Sequence, residues 1–97
     1  MIVSEVTQWI EEFAPLQLQE SYDNAGLLVG EPTTEVSAVL LTIDVTEAVV
    51  DEAILNNCNL IIAHHPLIFK GLKRITGKSD IERCVLKCIR HHIAVYA

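Results

Sequence analysis

The sequence predicts an α/β fold, a mostly parallel sheet with flanking helices that forms the N-terminal portion of a larger α/β domain. Three observations lead there. Short apolar runs at 36–43, 60–63 and 93–96 alternate with two segments of helical periodicity, and a strand–helix–strand crossover of that length joins parallel neighbours. The chain has 97 residues, one domain's worth, with 51% apolar and 21% charged residues. That composition, with a mean hydropathy of +0.35, is that of a packed domain and excludes disorder.

From Val3 to Phe13 the apolar positions Val3, Val6, Trp9, Ile10 and Phe13 recur at steps of three and four. A helix with one greasy face is expected, Trp9 is assigned to the core, and Pro15 ends the helix. Gly26–Gly30 (GLLVG) and Val36–Ile43 (VSAVLLTI) read as strands. Thr46 caps a helix whose buried face carries Val49, Val50, Ala53 and Ile54, and which stops at Asn56 and Asn57. The strand Leu60–Ala63 then runs into His64, His65 and Pro66. Ser79 and Glu82 have capping-box spacing and open a helix with Ile81, Cys84, Val85, Cys88 and Ile89 on one side. His91 and His92 close that helix, and Ile93–Tyr96 is the last strand. The chain stops at Ala97, without the polar loop that normally follows a buried parallel strand, so the expectation is a single domain over 1–97 truncated at its C-terminal end, with a site residue missing.

Charge is divided along the chain. Seven basic against thirteen acidic residues give a net charge of −6, yet residues 1–69 hold eleven of the acids and no Lys or Arg. All seven basic residues fall between Lys70 and Arg90. The plain reading is pairing of the two regions within the fold or across a subunit contact. The sharper reading makes Lys70, Lys73, Arg74 and Lys78, in a segment punctuated by Gly71 and Gly77, a loop that closes over a phosphate-bearing ligand. The acidic total disfavours non-specific attraction to nucleic acid or an anionic membrane. No membrane-spanning run and no secretory leader is read, and three cysteines make no disulfide framework, so a cytoplasmic protein is expected.

The strongest chemical signal is positional. His64 and His65 end one strand and Asp44 ends its expected neighbour, at the carboxyl edge where parallel sheets bind ligands. Imidazole is the commonest neutral metal ligand, although two histidines do not complete the three or four ligands of a stable site. The competing reading makes one a core residue and the other a solvated one. Cys84, Cys88 and His91 share a helix face and, with His92 or Cys58, have zinc-type spacing, but core packing explains them better. No G-x-S-x-G, G-x-G-x-x-G or P-loop pattern is present.

The run Leu60–Leu72 (LIIAHHPLIFKGL), with Ser21–Gly30 (SYDNAGLLVG), the D-x-T at Asp44–Thr46 and the final I-A-V-Y-A, resembles the NGG-interacting-factor-three-like family, the GTP cyclohydrolase type-two homologues, over essentially the whole chain. The resemblance implies a ring-shaped homohexamer with two divalent metal ions per subunit, zinc, iron or manganese being compatible, and makes His64 and His65 metal ligands. It leaves Asp23, Asn24 and Asp44 open between direct ligation, turn capping and hydrogen bonding to a ligand. It departs from the family pattern in lacking a following H-T-x-x-D segment and a distal histidine and glutamate, and in placing Tyr22 where tryptophan is common. Weak metal binding by this chain alone is therefore expected. The implied function is a dinuclear metal-dependent hydrolase acting on a nucleotide or phosphate ester, since two ions about 3.5 to 4 Å apart can activate a shared water. The alternative is a non-catalytic metal-binding scaffold or regulatory protein, acting as a ring on nucleic acid or another partner.

Overall fold

The computed structural model describes residues 1–14, 24–68 and 71–97. In chain order the elements are α1 (Val3–Phe13), β1 (Leu27–Val29), β2 (Val39–Thr42), α2 (Glu47–Leu55), β3 (Leu60–Ala63), α3 (Asp80–Arg90) and β4 (Ala94–Tyr96). The sheet order is β1-β4-β3-β2. β2, β3 and β4 are parallel, and β1 is an antiparallel edge strand with a register shift between Leu27 and Val29. The expected crossovers through α2 and α3 are present. The strand expected over 36–43 is shorter, because Val36 donates its N–H to the Met1 carbonyl and Glu35 bridges to Ile2 before the parallel ladder begins.

Each sheet face has its own helices. Ile61 and Val95 point toward α2 and α3 and pack with Val50, Ala53, Cys84, Val85 and Cys88. Leu60, Ala94 and Tyr96 point the other way and pack with Val3 of α1. Side-chain alternation along β3 and β4 divides the two clusters. Burying each large aliphatic chain is worth about 1.5 to 3 kcal/mol, so the paired layers hold the strand ends in place. Gly30, at φ +105°, closes β1 where an added Cβ would lie 2.7 Å from the Ala94 Cβ, so the close approach of the edge strand requires glycine.

Trp9 and Phe13 correct the core assignment of α1. They are 61% and 76% exposed and meet each other edge to face, with ring centroids 5.1 Å apart. The reason is angular: at about 100° per residue, Val3, Thr7 and Ile10 share one stripe while Trp9 and Phe13 fall well to its side. Ile81 and Ile89 likewise stand exposed at the margins of α3, whose centre is Cys84, Val85 and Cys88.

The charge division is resolved between helices. Arg83 Nε donates to Glu47 Oε1 at 2.8 Å and its Nη1 to the Gly77 carbonyl at 3.0 Å, and it also pairs with Asp80. Lys87 Nζ reaches Asp51 at 2.9 Å and Glu47 at 3.4 Å. These partners hold the Glu47 carboxyl below its ordinary range, Arg83 contributing most. Intramolecular pairing thus accounts for Arg83 and Lys87. Among the described residues, no helix is long and apolar enough to cross a membrane.

Candidate functional site

β2 and β3 run side by side, with Val39 opposite Leu60 and Thr42 opposite Ala63. The pairing continues past the strands, as the N–H groups of His64 and His65 donate to the carbonyls of Thr42 and Ile43 at 3.1 and 2.9 Å. That continued register sets Asp44 beside His65. His65 Nδ1 lies 2.7 Å from Asp44 Oδ1. A carboxylate oxygen accepts, so this geometry suits the neutral imidazole tautomer that carries its proton on Nδ1, the form in which the Nε2 lone pair is free. A carboxylate fixing one ring nitrogen so that the other can ligate is the usual support for a metal-binding histidine.

His64 and His65 are both exposed, and their rings lie 4.8 Å apart, tilted by 47°. Adjacent strand residues ordinarily point to opposite faces, but here the strand has ended and both rings occupy the same end of the sheet. Thr42 Oγ1 donates to the Asp44 carbonyl at 2.9 Å, and Thr46 Oγ1 accepts from Val49 N–H at 3.2 Å. Together these shape the turn that carries Asp44 from β2 into α2.

The loop after the histidines is tied at two points. Asn24 Nδ2 donates to the Ile68 carbonyl, which makes this residue a loop tether. Glu82 accepts from Thr76 N–H at 2.9 Å, Thr76 Oγ1 at 3.1 Å and Ser79 Oγ at 3.1 Å. These donors, the Thr76 N–H foremost, pull its pKa down to about 2. Between the ties, Lys73, Arg74 and Lys78 are exposed and have no salt bridge among the described residues. Asp23 and Lys70 lie outside the described residues, as does Tyr22.

No group of three or more His, Cys, Asp or Glu side chains able to hold a metal ion forms among the described residues. The donor chemistry of His64 and His65 fits part of a divalent metal centre and falls short of a whole one. The helix carrying Cys84, Cys88 and His91 is not a competing site. Both thiols are buried, and burial pushes Cys88 up to about 12 and raises Cys84 as well. Volume also points elsewhere. A concavity of about 640 Å³ lined by Val29, Gly30, Ile89, His92 and Ala94 opens beside the start of β4, away from His64 and His65.

Comparison with known proteins identifies the lineage. The family model described as Duf34/NIF3 (NGG1p interacting factor 3) matches residues 1–97. The chain belongs to this family. A Clostridium acetobutylicum relative named GTP cyclohydrolase 1 type 2 homolog is 42% identical over 95 residues, covering 98% of this chain and 35% of the relative. NIF3-like protein 1 of Drosophila melanogaster is 46% identical over 94 residues, 95% of this chain and 32% of that protein. The crystal structure of Staphylococcus aureus protein SA1388 superposes with a TM-score of 0.95 at 38% identity, over all of this chain and 31% of that one. The chain thus spans about a third of the length of these Duf34/NIF3 relatives.

Within this family unit, sequence reasoning brought His64, His65 and Asp44 together and missed what steadies them. The tether from Asn24 to Ile68 joins residues 44 positions apart and leaves no local signal. The anchoring of Thr76 by Glu82 was foreshadowed only by the Ser79–Glu82 spacing, which announces a helix cap and says nothing of a loop clasp.

Proposed function

We propose that His64 and His65 supply two imidazole ligands to a divalent metal centre, and that Asp44 orients His65 for that role. The observation that carries this is the bond from His65 Nδ1 to Asp44 at 2.7 Å beside a second exposed imidazole 4.8 Å away. The whole protein, on this reading, is a dinuclear metal-dependent hydrolase of the GTP cyclohydrolase type-two homologue class. It acts on a nucleotide or phosphate ester and works as a homo-oligomer. Bound divalent ions would supply an activated water at neutral pH.

This chain's residues have three tasks in that scheme. The two imidazoles offer neutral nitrogen donors, which suit zinc, iron and manganese alike. Asp44 fixes the tautomer of His65. Lys73, Arg74 and Lys78, on the loop that leaves the histidines and is fastened by Glu82, offer cations to a phosphate tail. Asn24, by tethering Ile68, keeps the start of that loop beside the sheet.

Zinc titration of the 97-residue chain tests the ligand assignment. Weak binding is expected, because two imidazoles are half of a coordination sphere, and His64→Ala should abolish it. Two tightly held ions per chain would overturn the expectation of weak binding, and binding indifferent to His64→Ala and His65→Ala overturns the ligand assignment. For the hydrolase reading, formate release from GTP and phosphate release from nucleotides are measured in a complete family member with and without chelator. Metal content without turnover would favour a non-catalytic scaffold.

A further inference from the structure

One apolar surface has no cover among the described residues. Val39 and Leu41 of β2 stand in register with Leu60 and Ile62 of β3, on the face that α1 packs against through Val3. α1 shields Leu60, Ala94 and Tyr96, but its shelter does not reach β2. Leu41 is 74% exposed, and Ile43, next in alternation, is 65% exposed. β2 is also an edge strand, and the stretch Val36–Ile43 that contains it has no charged residue or proline. Proteins normally blunt such an edge with charge, proline or a bulge.

The opposite edge differs. β1 has three residues, a register shift against β4 and a closing Gly30, and irregular, short edges resist further pairing. The far side of β4 is already occupied by β1, so added polypeptide finds no place inside the sheet. The regular, uncharged β2 is the favoured receiver.

We infer that the uncovered β2 edge and its face of Val39, Leu41 and Ile43 are the seat of polypeptide that Duf34/NIF3 proteins carry beyond the matched third. Relatives extend well past the 35% and 32% of their length that this chain matches. A second copy of this chain is the poorer occupant. Three side chains on a short strand offer on the order of a few hundred Å², against roughly 1,200 to 2,000 Å² in a stable association. A covalently joined segment needs no such area, because linkage supplies a high effective concentration. The inference stands apart from the metal reading, since no imidazole takes part.

The test compares the 97-residue chain with a fusion in which the remainder of the Clostridium acetobutylicum relative follows Ala97. Hydrogen–deuterium exchange of the Val39–Ile43 amides is expected to slow roughly tenfold or more in the fusion. The pair Leu41→Glu and Ile43→Glu should lower the melting temperature of the fusion and leave that of the 97-residue chain unchanged. Equal exchange and equal insensitivity in both proteins overturn the inference. So does a 97-residue dimer that Leu41→Glu dissociates, which would make the second copy the occupant. If the fusion does not fold, the same two substitutions go into the corresponding positions of the relative itself. A lowered melting temperature there supports the inference, and an unchanged one overturns it.

Discussion

Two constellations among the described residues carry metal-type side chains, and they differ in what surrounds them. Cys84, Cys88 and His91 repeat along one helix, where the thiols fill the core between α3 and the sheet and burial keeps them protonated. His64 and His65 are adjacent in sequence, end a strand and face outward, with a carboxylate from the neighbouring strand fixing one ring. Spacing makes the helix eligible, since i and i+4 positions share a face, although core packing explains it better. Exposure and an orienting partner set the strand-end pair apart. A ligand must be both reachable and able to present a lone pair, and only the strand-end pair meets both conditions.

Substitution with a charge breaks the comparison most sharply. Cys88→Asp sets an unpaired carboxylate in the core and is expected to cost about 3 to 5 kcal/mol. His64→Asn, at the exposed end, should change stability by no more than about 0.5 kcal/mol. Urea denaturation of the two variants checks this, and comparable losses would mean that His64 is a packing residue.

Metal affinity should divide the two regions in the opposite sense. Cys84→Ala with Cys88→Ala is expected to leave zinc binding unchanged wherever the chain still folds. Asp44→Ala should weaken it about 10- to 100-fold, the usual effect of removing a ligand's orienting partner. Calorimetric titration separates these outcomes, and an Asp44→Ala variant that binds as well as the parent would reduce the Asp44 contact to turn geometry.

Much of this contrast was legible in the sequence because its determinants are local. Alternating apolar runs and two crossover helices announced the parallel strands, and Thr46 and Ser79 marked helix starts that the structure bears out. The site's neighbours were legible too, since parallel pairing of β2 with β3 places Asp44 beside His65. What escaped was any feature set by the margins of a helix stripe or by contacts remote in sequence. Trp9 fits an i, i+3 pattern as well as Val3 does, and only the position of α1 over β3 and β4 decides which of them is buried. The antiparallel β1 and the Asn24 tether depend on chain returning from a distance, and the bare β2 face depends on where α1 ends its cover.

Thiol chemistry offers a smaller but cleaner division. In the native chain at pH 8, iodoacetamide should modify the half-buried Cys58, while Cys84 and Cys88 remain protected as buried, protonated thiols. Peptide mapping by mass spectrometry reads the result. Early labelling of Cys88 would show the α3 core opening on the timescale of the reaction and weaken the claim that packing, rather than ligation, explains its position.

The smallest expected effect concerns the loop that separates the two constellations. Glu82 joins the start of α3 to Thr76, and its folded-state pKa of about 2 lies below the ordinary 4.5. Folding therefore favours the ionised carboxylate, and its contribution is fully present above about pH 4.5 and lost as the pH falls toward 2. Glu82→Gln removes this proton linkage while keeping an acceptor for Thr76, so the acid limb of the stability profile should become shallower between those limits, with little change near neutrality. Because the clasp fastens Thr76 and Ser79 and makes no bond to Cys84 or Cys88, amide exchange at 71–79 should quicken in this variant while the core of α3 remains protected. Loosening of both together would mean that the basic loop and the cysteine helix form one cooperative unit, and that the strand-end histidines owe their setting to the core as much as to their own strand.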